Sequence, residues 1–166
     1  MMTELASFEG LWRLYAEDVR RFATALSGDP AAADDLTAEA FLRCWTARDR
    51  TGREEVGSVK GYLFAIARHL YLKGRERARR IEPIAVEPPD ESPSPERQAA
   101  GRAELSSLRS AWRRLPEPDR AALAMRSFDG LPYEEIARVL GITTGAARVK
   151  VHRARLALAQ HSMPRS

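Results

Sequence analysis

The chain contains 166 residues, of which 44% are hydrophobic and 30% charged, a composition typical of a soluble folded protein with one domain or two small ones. Its single cysteine excludes an internal disulfide and disfavours a zinc site built on thiolates. The sequence has no long apolar run and no apolar leader, so we expect no membrane insertion and a cytoplasmic location.

Helical periodicity dominates the first half of the chain and predicts three helices. The apolar face of the first helix runs from Phe8 to Leu26 and ends at Gly28. Pro30 suits the first turn of the second helix, and a third helix is expected from about Val59 to Arg80. One face of the second helix is lined by Ala33, Leu36, Ala40, Cys44 and Ala47. No run of strand length alternates between apolar and polar residues, so the predicted fold class is all-α.

Charge is distributed unevenly around the middle of the chain. The segment from Arg68 to Arg80 carries six basic residues and one acid, whereas residues 81–100 carry five acids and one arginine. Five prolines accompany those acids between Glu82 and Pro95. Such a composition cannot bury enough apolar surface to fold alone, so we expect a flexible, semi-extended linker here.

The second half predicts further helices and a helix-turn-helix. Helices resume near Glu96, and a proline-containing corner at 115–119 precedes a helix expected at 120–128. In the last third, Pro132 suits a first helical position and Gly141 can take the left-handed conformation that ends a helix. Thr143 is then the expected cap of the final helix.

That final helix has a composition suited to DNA. From Thr143 to Gln160 it contains four arginines and lysines and no acid, and Ala147, Val151, Ala154 and Leu158 form one apolar face. Rotation by about 100° per residue places a second set on the opposite side: Thr144, Gly145, Arg148, Val149, His152 and Arg153.

A helix-turn-helix places its second helix in the major groove, so duplex DNA is the expected partner. Arg148 and Arg153 are suited either to read guanine or to neutralise phosphate. The alternative is a basic, solvated helix on any small domain. The basic end of the third helix gives a second contact point for a polyanion, which favours the functional interpretation.

Four motifs occur in order along the chain: DLTAEAFLRCW at 35–45, GYLFAIARHL at 61–70, LPEPDRAAL at 115–123 and the helix-turn-helix at 131–155. In these motifs the chain resembles bacterial RNA polymerase sigma factors of the small extracytoplasmic-function (ECF) group. The resemblance implies two small helical domains, at 5–80 and 104–162, joined by the proline-rich acidic linker at 81–103. It also implies no catalysis and no cofactor or metal, because the polymerase supplies the chemistry.

The resemblance implies three kinds of partner. In the family, the second helix docks on the clamp helices of the polymerase large subunit, and the second domain meets its flap. The matching clamp-binding positions here are Asp35, Leu36, Glu39, Leu42 and Trp45. The alternative for Leu42 and Trp45 is that they complete the core. Promoter DNA is the second partner, and family analogy adds an anti-sigma factor as the third.

The two promoter elements are assigned to different helices by the resemblance. The family's third helix captures the −10 element as a single strand, and matching positions here are Tyr62, Arg68, His69, Lys73, Arg75, Arg77, Arg79 and Arg80. Stacking faces and a cationic track suit that role. The alternatives are that Tyr62 belongs to the core and that the arginines form a solvated helix end, where the helix dipole favours cations. The family's last helix reads the −35 element as duplex, with the same face that helical rotation selects.

The chain departs from the family pattern at four positions. Ala38 stands where Gln is usual, His69 where Asn is usual, Lys73 where Asp is common, and Val149 where a small polar residue is common. An imidazole donates and accepts differently from an amide, and a valine offers apolar contact to a thymine methyl group. These changes limit what the resemblance implies about promoter sequence.

Two rival functions follow from the residues. A stand-alone helix-turn-helix regulator accounts for the last third, but leaves the 35–45 surface and the first basic region without a role. An enzyme with Cys44 as nucleophile is disfavoured because Cys44 falls on an apolar helix face. In addition, His69, His152 and His161 lack metal-ligand spacing. The charge pattern alone also suggests that the tethered domains fold back on one another in the free protein.

Overall fold

The computed structural model describes residues 6–48, 58–81 and 100–162, and within these ranges it contains seven α-helices and no strand. The helices are α1 (Phe8–Ser27), α2 (Pro30–Ala47), α3 (Val59–Ile81), α4 (Ala100–Arg114), α5 (Glu117–Asp129), α6 (Tyr133–Leu140) and α7 (Thr144–Ser162). We refer to α1–α3 as the first unit and to α4–α7 as the second unit. The all-α prediction is confirmed.

The helix boundaries of the first unit follow local chemistry. The side chain of Ser7 accepts a hydrogen bond from the Gly10 backbone N–H at 3.0 Å and so caps α1. Gly28 ends α1 in the left-handed conformation at φ 68°, where a side chain would be strained. The Asp29 carboxylate then caps α2 by accepting from Ala31 N–H at 3.0 Å. The predicted junction between the first two helices is therefore confirmed.

Three phenylalanines form the centre of the first unit. Phe22 of α1, Phe41 of α2 and Phe64 of α3 are each at most 1% exposed. The rings of Phe22 and Phe64 stack with their centroids 4.6 Å apart. Cys44 is also buried, and burial raises the pKa of its thiol. It therefore packs as a small hydrophobic residue, and its surroundings favour the thiol over the thiolate.

The second unit is built around α5. Its residues 121–125 are all buried, and the other helices of this unit add Ile136 and Val151 to the same core. α5 begins at Glu117, three residues before the predicted start at Arg120, because Pro118 fits within a first helical turn, where no backbone N–H is needed. Leu105 of α4 does not join this core, since it is 57% exposed.

The two units share one continuous core. α1 packs against α5, and α3 packs against α6. A Cβ placed on Gly61 of α3 would lie 3.8 Å from side-chain atoms of both Glu135 and Val139 on α6, which shows how closely the two helices approach. The units are thus joined by tertiary packing as well as by the chain.

Most of the predicted linker lies outside the described residues. Within the range 81–103 given to it by the sequence analysis, Ile81 belongs to α3 and residues 100–103 belong to α4. The helices therefore reach into both ends of that range. None of the described helices is long and apolar enough to cross a membrane.

Replacement of Phe64 by alanine should destabilise the protein strongly. The substitution removes a fully buried ring that stacks on Phe22, so we expect the free energy of unfolding to fall by about 3–5 kcal/mol. Urea denaturation followed by circular dichroism measures the change. Leu42→Ala is the control, because Leu42 is 54% exposed and surface substitutions usually change stability by no more than about 0.5 kcal/mol. Equal losses in the two variants would contradict this account of the core.

Candidate nucleic-acid interface

The helix-turn-helix presents one face of α7 to solvent. Gly141 ends α6 in the left-handed conformation at φ 67°, and the Thr143 hydroxyl accepts from Ala146 N–H at 3.1 Å to begin α7. Ala147, Val151 and Ala154 are at most 1% exposed and fix the rotation of the helix. Of the face proposed to meet duplex DNA, five residues are exposed and Thr144 is half-buried; the exposed ones are Gly145, Arg148, Val149, His152 and Arg153.

Neighbouring elements hold the long cationic side chains of α7. The guanidinium of Arg148 lies 5.2 Å from the centroid of the Tyr133 ring, which Arg126 also approaches at 4.5 Å. The Asp119 carboxylate is 5% exposed and lies 3.4 Å from the Arg153 guanidinium and 3.8 Å from the Lys150 ammonium. These contacts restrict the rotamers of the basic side chains before any DNA is bound.

Sequence reasoning missed both Tyr133 and Asp119. Asp119 lies in the 115–123 motif, where an acid in the first turn of a helix is already explained by the helix dipole. Its contact with α7 spans 34 residues of sequence, and no local pattern indicates such a contact.

The second half of α3 carries the basic cluster, which we define as Lys73, Arg75, Arg77, Arg79 and Arg80. All five side chains are exposed, as is His69 one turn earlier. Arg80 pairs with Glu76 at 2.7 Å, and the Arg75 guanidinium lies 5.7 Å from the Tyr71 ring centroid. The cluster gives the second half of α3 a high density of positive charge, a feature suited to a phosphate backbone.

Tyr62 and Arg68, the other two residues proposed to contact the −10 single strand, are less exposed than the basic cluster. Tyr62 is half-buried and packs against the core, in agreement with the core alternative. Arg68 is also half-buried, and its guanidinium donates two hydrogen bonds of 2.8 Å to the carboxylate of Glu117 in the second unit. The structure therefore does not bring the eight residues together on one open surface.

The proposed polymerase-binding residues on α2 fall into two groups. Asp35, Glu39 and Leu42 are exposed, and Glu39 pairs with Arg43 at 3.0 Å. Leu36 and Trp45 are half-buried. The exposure of Leu42, at 54%, argues against its completing the core.

Trp45 is half-buried and packs against the core. Its ring meets Phe8 edge-on at 5.9 Å, and the Arg48 guanidinium lies 3.4 Å from its centroid. Phe8 also stacks on Trp12 of α1, which is 40% exposed and which the sequence analysis did not single out. The aromatic surface next to α2 is thus larger than the motif suggested.

No group of histidine, cysteine, aspartate and glutamate side chains in the described parts of the chain is arranged to hold a metal ion.

Two family models match the chain. The model for sigma-70 region 2 matches residues 11–81, and the model for sigma-70 region 4 matches residues 105–158. The ECF RNA polymerase sigma factor SigE of Mycolicibacterium smegmatis is 33% identical over 167 residues, a match that covers 95% of this chain and 64% of SigE. The ECF RNA polymerase sigma factor SigC of Mycobacterium tuberculosis is 32% identical over 164 residues, covering 95% of this chain and 84% of SigC.

Solved structures show the same arrangement of helices. The sigma factor RpoE from Bartonella quintana, crystallised with the anti-sigma factor NepR, aligns with a TM-score of 0.71 at 24% identity, covering 93% of this chain and 95% of RpoE. CnrH in complex with the cytosolic domain of CnrY aligns with a TM-score of 0.65 at 21% identity, covering 92% of this chain and 85% of CnrH. These likenesses establish the fold.

Replacement of Arg148 by alanine should reduce sequence discrimination in duplex DNA. If this side chain reads a base edge, its loss costs about 1–3 kcal/mol at one or two positions of the site. Selection of binding sites from a randomised duplex library measures the change for the full chain.

The matched control is Arg109→Ala, which removes the same charge from an exposed position on α4. We expect the control to enrich the same motif as the unmodified protein. A uniform loss of affinity in Arg148→Ala, with discrimination intact, would instead assign Arg148 to a phosphate.

Proposed function

Because the chain belongs to the sigma-70 family of bacterial RNA polymerase factors, in its ECF group, we propose that it binds core RNA polymerase and directs it to promoters. The observation that carries the proposal is the presence of both family regions, in order, with exposed surfaces suited to two different partners. α2 exposes apolar and acidic side chains, whereas α7 exposes basic ones.

We assign the polymerase contact to α2. A helix that exposes Leu42 beside Asp35 and Glu39 suits packing on another helix, since an apolar anchor is flanked by charges that set orientation. Half-buried Trp45 lies at the C-terminal end of the same helix and is proposed to belong to this surface. The clamp helices of the polymerase large subunit are the proposed partner, and the second unit is proposed to meet the flap.

We assign the −35 element to α7 and the −10 element to α3. The exposed face of α7 has the length and charge of a helix that enters the major groove. The basic cluster on α3 supplies the track for a single strand, and His69 at its start replaces the usual amide in contacts with a base. The residues between 81 and 104 then set the distance between the two contacts.

Two further points complete the proposal. The polymerase performs all of the chemistry, and this chain acts as a specificity factor with no cofactor of its own. The proposed location is the cytoplasm. We also propose a protein antagonist for this chain. RpoE was crystallised with the anti-sigma factor NepR, and the structure of CnrH contains the cytosolic domain of CnrY.

Replacement of Leu42 by alanine should weaken binding to core polymerase. Truncation of a central apolar anchor commonly costs at least about 2 kcal/mol, so we expect a dissociation constant more than about tenfold higher. Fluorescence anisotropy with purified core enzyme measures the affinity, and run-off transcription on a promoter library measures the consequence.

Arg148→Ala is the matched comparison, because it should leave polymerase binding unchanged while reducing dependence on the upstream element. If the unmodified chain fails to bind core polymerase but still selects a duplex motif, the stand-alone regulator is the correct function.

Promoter binding should also depend strongly on salt. A complex that neutralises about six to ten phosphates loses about 10³–10⁵ in affinity between 50 and 200 mM salt. Titration of the holoenzyme with promoter DNA at increasing salt gives the slope. A complex insensitive to salt would contradict the phosphate contacts assigned to α3 and α7.

A further inference from the structure

The carboxylate of Asp119 is buried in the first turn of α5. Its side chain is 5% exposed, and a carboxylate that is removed from water costs free energy unless a charge or a hydrogen-bond donor compensates it. The dipole of α5 favours an acid in this turn, but it acts equally on an acid exposed to solvent. The burial of Asp119 therefore needs a further explanation, which its partners supply.

Both partners of the Asp119 carboxylate lie on α7. The Nη2 atom of Arg153 is 3.4 Å and the Nζ atom of Lys150 is 3.8 Å from the same carboxylate oxygen, Oδ1. The side chain of Lys150 is 21% exposed, whereas that of Arg153 is 57% exposed and belongs to the face of α7 proposed to meet duplex DNA. One buried acid on α5 is thus shared by a half-buried cation and a cation on the exposed face.

Arg153 keeps most of its hydrogen-bonding capacity in this arrangement. A guanidinium carries five N–H donors in one plane, and the contact with Asp119 engages only Nη2. Arg153 has no other hydrogen bond or ion pair within the described parts of the chain. Two donors suffice for a bidentate contact with the N7 and O6 atoms of guanine. Arg153 is therefore able to hold Asp119 and a guanine at the same time.

The contact with Asp119 restricts Arg153 before DNA is bound. A free arginine side chain samples many rotamers, and immobilising it on a base edge costs free energy during binding. Asp119 reduces that cost because its own helix, α5, packs against α7 in one core. Arg148 has a different support, the Tyr133 ring at 5.2 Å. The two arginines of the exposed face are thus held by independent contacts.

We propose that Asp119 is a positioning residue that determines specificity: it holds the guanidinium of Arg153 in the orientation that reads a guanine in duplex DNA. Lys150 shares the carboxylate and offsets its negative charge beside the DNA. The inference rests on the part of the proposed function that assigns duplex DNA to α7, and it does not require polymerase binding.

This role predicts opposite effects on specific and non-specific binding. A carboxylate close to the DNA repels phosphates, so Asp119 lowers the affinity for any duplex. It raises discrimination at the same time, because it fixes the arginine that reads the base. Loss of its charge should therefore weaken discrimination while non-specific affinity stays equal or rises. A folding defect would instead lower both.

Asp119→Asn tests the proposal in the full-length chain, with and without core polymerase. The amide keeps the shape of the side chain and removes its charge. Selection from a randomised duplex library, with Arg153→Lys as the reference, identifies the guanine that Arg153 reads. In Asp119→Asn we expect the preference for that guanine over adenine, measured by fluorescence anisotropy, to fall at least about fivefold, the lower end of what one bidentate contact contributes. The position that depends on Arg148 should keep its preference.

Two controls separate positioning from net charge and from stability. Glu104→Gln removes one negative charge from an exposed position on α4 and should keep the guanine preference. An equal loss in Glu104→Gln and Asp119→Asn would overturn the proposal. Asp119→Asn combined with Arg153→Lys should lose no more discrimination than Arg153→Lys alone, because Asp119 acts through Arg153. An additional loss in the double variant would also overturn it.

A measurement on the free chain tests the positioning without DNA. The ¹⁵N order parameter of the Arg153 Nε–H group, assigned with Arg153→Lys, should fall in Asp119→Asn and stay unchanged in Glu104→Gln, at native helicity by circular dichroism. An unchanged order parameter in Asp119→Asn would overturn the proposal. If Asp119→Asn shows both expected effects but the unmodified chain does not bind core polymerase, only the proposed sigma function is overturned. If Asp119→Asn shows neither effect while the unmodified holoenzyme still initiates at a shared motif, only this inference is overturned.

Discussion

The buried guanidinium of Arg120 connects three parts of the molecule that are far apart in sequence. It is 8% exposed and donates to the carbonyl oxygens of Leu115 and Leu26 and to the Tyr71 hydroxyl, at 2.8, 3.3 and 3.4 Å. A buried charge with fewer partners would cost several kcal/mol, so the corner before α5, the end of α1 and the middle of α3 are held in one arrangement. The relative position of the two units depends on this constraint.

The interface that Arg120 anchors combines polar contacts with apolar packing. Its polar contacts, such as the largely buried pair of Arg68 with Glu117, lie beside apolar packing that belongs to the same core as the stacked rings of Phe22 and Phe64. Contacts between domains of one chain resemble transient interfaces more than they resemble domain cores.

The three surfaces proposed to bind partners differ in how exposed their residues are. Leu42 on α2 and Arg148 on α7 are exposed, so the surfaces proposed for polymerase and for duplex DNA are both open to solvent. Arg68 on α3 is occupied by Glu117. The packing of the two units therefore leaves Leu42 and Arg148 exposed and pairs Arg68 with Glu117 across their interface.

The sequence by itself determined that the fold is helical, the ends marked by Gly28, Gly141 and Thr143, and the exposed face of α7, because these depend on residues within a few positions of one another. Helix α1 ends at Gly28, α6 ends at Gly141, and the Thr143 hydroxyl caps the start of α7, as local chemistry predicts. The apolar spacing of Ala147, Val151 and Ala154 determines which side of α7 is buried. The family motifs likewise follow from local strings of residues.

Only the tertiary structure decided which cationic side chains are available. Arg68 and Arg77 look alike in sequence, yet one is paired with Glu117 across 49 residues and the other is exposed. The roles of Tyr133 and Asp119 beside α7 arise in the same way. An ion pair or a cation–π contact between helices has no period along the chain, so its existence is set by how the helices pack together.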